Sequence, residues 1–149
     1  GAALRIGALL GGASSNDAEH LYHFGVNMGL AFQLQDDILD VYGDPEKFGK
    51  QVGGDIIANK KTFLLIRASE LAKGEHASSL RDWLNSDDAT AKVRAVTELY
   101  DELGVRQLAE TQMEEFSRTA FGHLDRVEVR EERKEQLQNF ANQLLIRES

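Results

Sequence analysis

The sequence of 149 residues has no cysteine, a single proline and few aromatics, 7% in all. Without cysteine there is no disulfide framework, no thiolate metal site and no thiol nucleophile, and a reducing compartment fits. The lone proline, Pro45, leaves long stretches free of the residue that breaks helices. Long apolar runs are missing as well. Phe63-Leu64-Leu65-Ile66 falls far short of the roughly 18 residues that span a bilayer. No basic start followed by an apolar stretch and a cleavage site is visible, so the expected location is the cytoplasm. Positive charge is scarce: 17 Lys and Arg stand against 25 Asp and Glu, a formal net charge of -8. That balance argues against a nucleic-acid backbone or an anionic membrane as the main partner, since both select a basic surface.

What is present points to helices. Hydrophobic residues make up 42%, too many for a largely disordered chain, and the length suits one helical domain over residues 1–149 with a buried core. Apolar residues recur at spacings of three and four, which predicts an all-α fold. Ala3, Leu4, Ala8 and Leu9 read as the tail of a helix stopped by Gly11-Gly12. Asn16 with Glu19 reads as a capping box opening a helix that runs to about Gly43. From Phe24 onward that helix is apolar on almost every side, as a central helix would be.

Residues 43–59, with four glycines and the proline, form the one long irregular stretch, and long loops in compact domains are often functional. Helices are predicted over about 60–73, around Trp83, over about 88–103 and over 105–127. A final helix carries Leu137, Phe140, Leu144 and Leu145, with 128–135 before them as a solvated charge run. The chain opens on Gly1, already inside an apolar helical pattern, as expected of a piece of a longer protein.

The most informative stretch is Phe32-Gln33-Leu34-Gln35-Asp36-Asp37-Ile38-Leu39-Asp40. At about 100° per residue, Gln33, Asp36 and Asp40 fall within about 60° of one another and share a face. Asp36 and Asp40 are one turn apart, about 6 Å along the axis, so their carboxylates can converge on a cation. Carboxylate oxygens suit a hard ion such as Mg²⁺, which keeps waters and favours carboxylates together with substrate phosphates. A merely solvated helix end fits less well. Acids near a helix C-terminus oppose the macrodipole, and acids at i,i+4 repel each other. No basic residue lies between positions 16 and 43 to relieve them. Lys50, Lys60 and Lys61 follow from the glycine-rich segment, and carboxylate-held Mg²⁺ with lysines nearby is a layout that holds a diphosphate.

Other signals are weaker. The run 43–50 imitates a phosphate-binding P-loop but has one residue too many and Gln51 where Ser or Thr belongs. His20 and His23, at i,i+3, read as polar surface of a first helical turn in preference to a transition-metal site. His76 and His123 have no partner nameable from the sequence. Ser14 and Ser15 read as loop and cap residues, and Met113, Phe116 and Leu124 as core.

The string FQLQDDILDVYGDPEKFGK followed by GGDIIANKKTF resembles the second aspartate-rich region of the trans-isoprenyl diphosphate synthases, the polyprenyl synthetases. That pattern, F-Q-x-x-D-D-x-x-D, then G-K, G-x-D and N-K-x-T, is present here in order. The resemblance implies an isoprenoid synthase-type helical bundle around a deep cavity, of which this chain is the C-terminal part. It implies a Mg²⁺-dependent prenyltransferase condensing isopentenyl diphosphate with an allylic diphosphate, head to tail, in a homodimer. By position, Asp36 would be the principal Mg²⁺ ligand, with Asp37 and Asp40 supporting. Lys50 and Lys60 would contact the diphosphate, and Phe32 and Gln33 would line the site near the reacting carbons; Gln33 and Lys60 would be the catalytic pair.

The family's first aspartate-rich motif, the Arg pair after it and the Gly-Lys…Arg group for isopentenyl diphosphate are absent from these 149 residues. The chain alone is therefore expected to be inactive or nearly so. The alternative is a non-catalytic helical subunit or interaction module derived from the same family, which would be expected to lose the aspartates that are retained here.

Overall fold

The structure, a computed structural model, describes residues 1–44 and 52–145. Eight helices and no strand occur among the described residues: α1 (Ala2–Leu10), α2 (Ser15–Tyr42), α3 (Gly54–Ile57), α4 (Phe63–Leu71), α5 (Glu75–Leu84), α6 (Ala89–Glu102), α7 (Val105–Asp125) and α8 (Glu131–Leu145). The all-α class expected from the apolar spacing is what forms.

Local chemistry sets most boundaries. Gly11 caps α1, Gly74 precedes α5, and Gly104 breaks the chain between α6 and α7 with a φ of 65°. Thr62 caps α4, its Oγ1 accepting from the Leu65 amide at 3.3 Å, and Asp88 caps α6 through the Ala91 amide at 3.0 Å.

Three expectations are corrected. The N-terminus of α2 is capped by Ser14, not by Asn16: Ser14 Oγ accepts from the Asp17 amide at 3.0 Å and donates to Asp17 Oδ2 at 2.7 Å. Capping needs the oxygen three residues ahead of the amide it receives, and Ser14 with Asp17 meets that. The segment 43–59 is not wholly irregular, because α3 forms inside it; its residues 45–51, including Lys50, lie outside the described residues. The run 128–135 is not simply solvated either, because Lys134 is buried.

The described residues divide into two compact units, one of residues 1–33 with 112–145 and one within residues 34–111. In the first, Phe24 and Met28 of α2, Ala120 and Leu124 of α7, Val127 and Ala141 of α8 form the core. Burying Leu124 or Phe24 side chains contributes about 1.5–3 kcal/mol each. The helix α1 adds Leu4 to that core and leaves Ile6, Leu9 and Leu10 exposed. Phe140 of α8 is also exposed. Asp17 is buried here. Its Oδ1 accepts from the Glu128 amide at 2.8 Å, and this with the Ser14 bond pulls its carboxyl below the ordinary value. Lys134 Nζ donates to the Asp125 carbonyl at 3.0 Å, closing the end of α7.

In the second unit, Ile38 and Val41 of α2 pack with Ile56, Leu64, Ala68, Leu80, Val96, Leu99, Tyr100, Val105 and Ala109. The amphipathic faces of α4 to α6 enclose the last two turns of α2, which places the acidic stretch at the edge of this core.

Candidate functional site

The site starts with the alternation of burial along the end of α2. Leu34, Ile38 and Val41 turn into the core. That phase leaves Asp36 exposed and Asp40 half-buried, and it carries Asp37 to a buried position. One turn earlier on the same helix, Gln33 is exposed and Phe32 half-buried.

Each acid has a different environment. Among the described residues, no hydrogen bond or ion pair engages the Asp36 carboxylate. Asp37 faces Lys60, with Oδ1 3.7 Å from Nζ. Asp40 Oδ2 accepts from the Asp55 amide at 2.8 Å, while its backbone carbonyl accepts from the Gly53 amide at 2.6 Å. Burial raises the Asp40 carboxyl above the ordinary value, against the opposing Asp55 amide bond, and the charges of Asp55 and Asp37 add to the rise. The relief that α2 cannot supply from its own residues thus comes from the segment 53–60.

That segment is built to bring Lys60 in. Gly53 adopts a φ of 85°, and a Cβ there would sit 2.5 Å from Val93 Cγ1, so only glycine fits. The tight turn lets α3 begin against Asp40 and present the Asp55 carboxylate. Asp55 Oδ2 then accepts from Lys60 Nζ at 2.7 Å, and the Asp55 carbonyl accepts from the Lys60 amide at 2.9 Å. The hydrogen bond to Asp55 raises the Lys60 pKa, with the charges of Asp37 and Asp40 in the same direction. Asn59, at a φ of 50°, donates to the Leu84 carbonyl at 3.0 Å. Lys92, buried, donates to the Leu84 carbonyl at 3.2 Å and to the Ile57 carbonyl at 3.4 Å, so one ammonium closes the ends of both α3 and α5.

The structure therefore brings together Asp37, Asp40 and Lys60 of the sequence-predicted residues, and adds Asp55, Asn59 and Lys92, to which the sequence reading gave no role. Asp55 was visible as the acid of the G-x-D element; nothing in the local pattern marks Lys92. Lys61 is exposed, and Lys50 lies outside the described residues. Among the described residues no three His, Asp or Glu side chains already converge as a closed metal cage. An open, all-oxygen donor set with one unengaged carboxylate still fits Mg²⁺, which is usually held by one or two carboxylates and completed by water and phosphate.

Comparison with known proteins follows the same line. The family model described as Polyprenyl synthetase matches residues 1–103. A short chain isoprenyl diphosphate synthase from Methanothermobacter thermautotrophicus is 36% identical over 149 residues, covering 99% of this chain and 45% of that protein. A crystal structure of a geranylgeranyl pyrophosphate synthase superposes with a TM-score of 0.85 at 34% identity, over 97% of this chain and 46% of that one. A geranylgeranyl pyrophosphate synthase from Corynebacterium glutamicum, crystallised with isoprenyl diphosphate and magnesium, gives a TM-score of 0.82 at 29% identity, over 96% of this chain and 41% of that one. The chain spans less than half the length of each of these proteins. No described helix is long and apolar enough to cross a membrane. With a matching family model over most of its length, the chain belongs to the polyprenyl synthetase family.

Proposed function

We propose that this chain carries the diphosphate-handling half of an isoprenyl diphosphate synthase, which condenses isopentenyl diphosphate with an allylic diphosphate in a Mg²⁺-dependent, head-to-tail reaction. The observation that carries this reading is the fixed ammonium of Lys60, held by Asp55 at 2.7 Å and faced by Asp37 at 3.7 Å, on the segment that also binds Asp40. Asp36 and Asp40 would hold the metal, with Asp37 supporting. Magnesium, when bound, neutralises the charge that develops on a departing diphosphate. The similar C. glutamicum synthase was crystallised with magnesium and an isoprenyl diphosphate, which supports the Mg²⁺ requirement.

The chain's own residues do the rest. Lys60 donates hydrogen bonds to diphosphate oxygens, and because Asp37 and Asp55 fix it beforehand, little reorganisation is needed as charge accumulates. Lys50 would approach the same diphosphate. Gln33 and Phe32, one turn earlier on α2, would line the path of the reacting carbons.

Titration of the chain with inorganic diphosphate in Mg²⁺ tests the reading. Lys60→Gln is expected to weaken binding about 10–100-fold, since it removes a charge-assisted hydrogen bond of about 1.5–3 kcal/mol. Binding equal to wild type would overturn the role of Lys60. The chain by itself, given Mg²⁺ and both substrates, is expected to form no measurable product.

A further inference from the structure

Three of the four histidines gather in the first unit, outside the acidic site. His20 and His23 stand one turn apart on α2, and His123 lies on α7. His20 Nδ1 is 3.1 Å from His123 Nδ1, and the two rings are tilted at 46° with centroids 5.4 Å apart. The His23 ring stacks on His123 at 4.9 Å and 24°. All three are part-buried, and neither the diphosphate site nor the core packing uses them.

The groups around them are charged on both sides. Glu19 Oε1 is 3.3 Å from His23 Nε2, and Glu19 Oε2 is 3.3 Å from Arg5. Asp17 acts on His20, and Arg126 on His123. Partial burial, then the neighbouring imidazoles, lower the His123 pKa, so that ring is neutral and its lone pair available near pH 7.

A direct nitrogen–nitrogen approach between two imidazoles has two chemical uses. Either one Nδ1–H donates to the other Nδ1, or both lone pairs meet at one metal ion. With metal–nitrogen distances of about 2.0–2.1 Å and angles of about 95–110°, two imidazoles on one ion sit about 3.0–3.4 Å apart. The observed 3.1 Å lies inside that span.

We propose that His20 and His123 form a two-imidazole site for a borderline divalent ion of the Zn²⁺ class, bridging α2 and α7, with water in the remaining positions. Imidazole suits zinc and disfavours Mg²⁺, so this site and the acidic site would not compete for one metal. Ligation needs both Nδ1 atoms bare, so the ring that carried its proton there shifts it to Nε2. Among the described residues no third donor already sits in ligating position, which is why water completes the shell. His23, stacked on His123 and anchored by Glu19, positions the ring without ligating.

The test is a Zn²⁺ titration of the full chain in excess Mg²⁺, followed by calorimetry and by the ¹⁵N shifts of the histidine side chains. One ion should bind per chain, moving the Nδ1 signals of His20 and His123 and leaving those of His76 in place. His20→Gln and His123→Gln should each weaken binding at least about tenfold, while His76→Gln leaves it unchanged. Helical circular dichroism of each variant reports whether the fold is intact. Absence of zinc binding by the wild-type chain, equal binding by the two variants, or shifts confined to other nitrogens would overturn the proposal.

Discussion

In the unit of residues 34–111 the charged groups around the acidic site are held mostly by partners close in the chain, the longest reach being Lys92 to Ile57 across 35 residues. Asp40 meets Asp55 across 15 residues, Lys60 meets Asp55 across five, and Lys92 meets Leu84 across eight. In the other unit Lys134 likewise meets Asp125 across nine residues, but two bonds join distant segments: Asp17 meets Glu128 across 111 residues, and His20 meets His123 across 103. Short separations let one tight turn at Gly53 and the short helix α3 prearrange the acids and Lys60 as a single local device. Long separations make such bonds into closures between α2 and α7 with the turn that follows it, worth most where both segments are already packed.

Substitutions separate the two cases, and the largest effect belongs to the local device. Gly53→Ala forces a side chain into a left-handed backbone and onto Val93, and is expected to cost about 2–4 kcal/mol in chemical denaturation. The same substitution should weaken diphosphate binding, because the turn positions Asp55 and hence Lys60. Lys92→Met removes the donor at two helix ends, with an expected loss of about 1–3 kcal/mol; the Leu84 carbonyl keeps its Asn59 bond, so the unmet group is Ile57.

A smaller, pH-dependent effect belongs to the long-range closure. The folded Asp17 carboxyl titrates below the ordinary value of 3.8. Its stabilisation is therefore complete above that value and is lost as pH falls through the folded pKa. Asp17→Asn should lower the Tm by a constant amount above pH 5, and the gap to wild type should close in acid. A gap that widens in acid would show that the Glu128 and Ser14 bonds are not made by a carboxylate.

The same contrast explains what was legible in advance. Helix type and most boundaries follow from apolar spacing and from Gly11, Gly74, Asp88 and Gly104, all local signals. The acidic cluster was legible because its residues share one stretch of α2, and Lys60 because it completes an ordered pattern. Ser14 read only as a loop or cap residue, and the capping box was placed on Asn16 because Asn16 with Glu19 satisfies the same spacing rule two residues on. Lys134 was read within a solvated charge run and Lys92 was given no role: their targets are backbone carbonyls, which carry no sequence signature. His123 gave no signal at all, since its partner lies on a helix more than one hundred residues earlier.

The central claim is the proposal that the end of α2 is a Mg²⁺-dependent diphosphate site, with Asp36, unengaged among the described residues, as a ligand. Calorimetric titration with a bisphosphonate, with and without Mg²⁺, tests it on wild type and on Asp36→Asn, which leaves size and fold unchanged at an exposed position. The account predicts Mg²⁺-dependent binding by wild type and a loss of at least about tenfold in the variant. Mg²⁺-dependent binding of equal strength in both would contradict it.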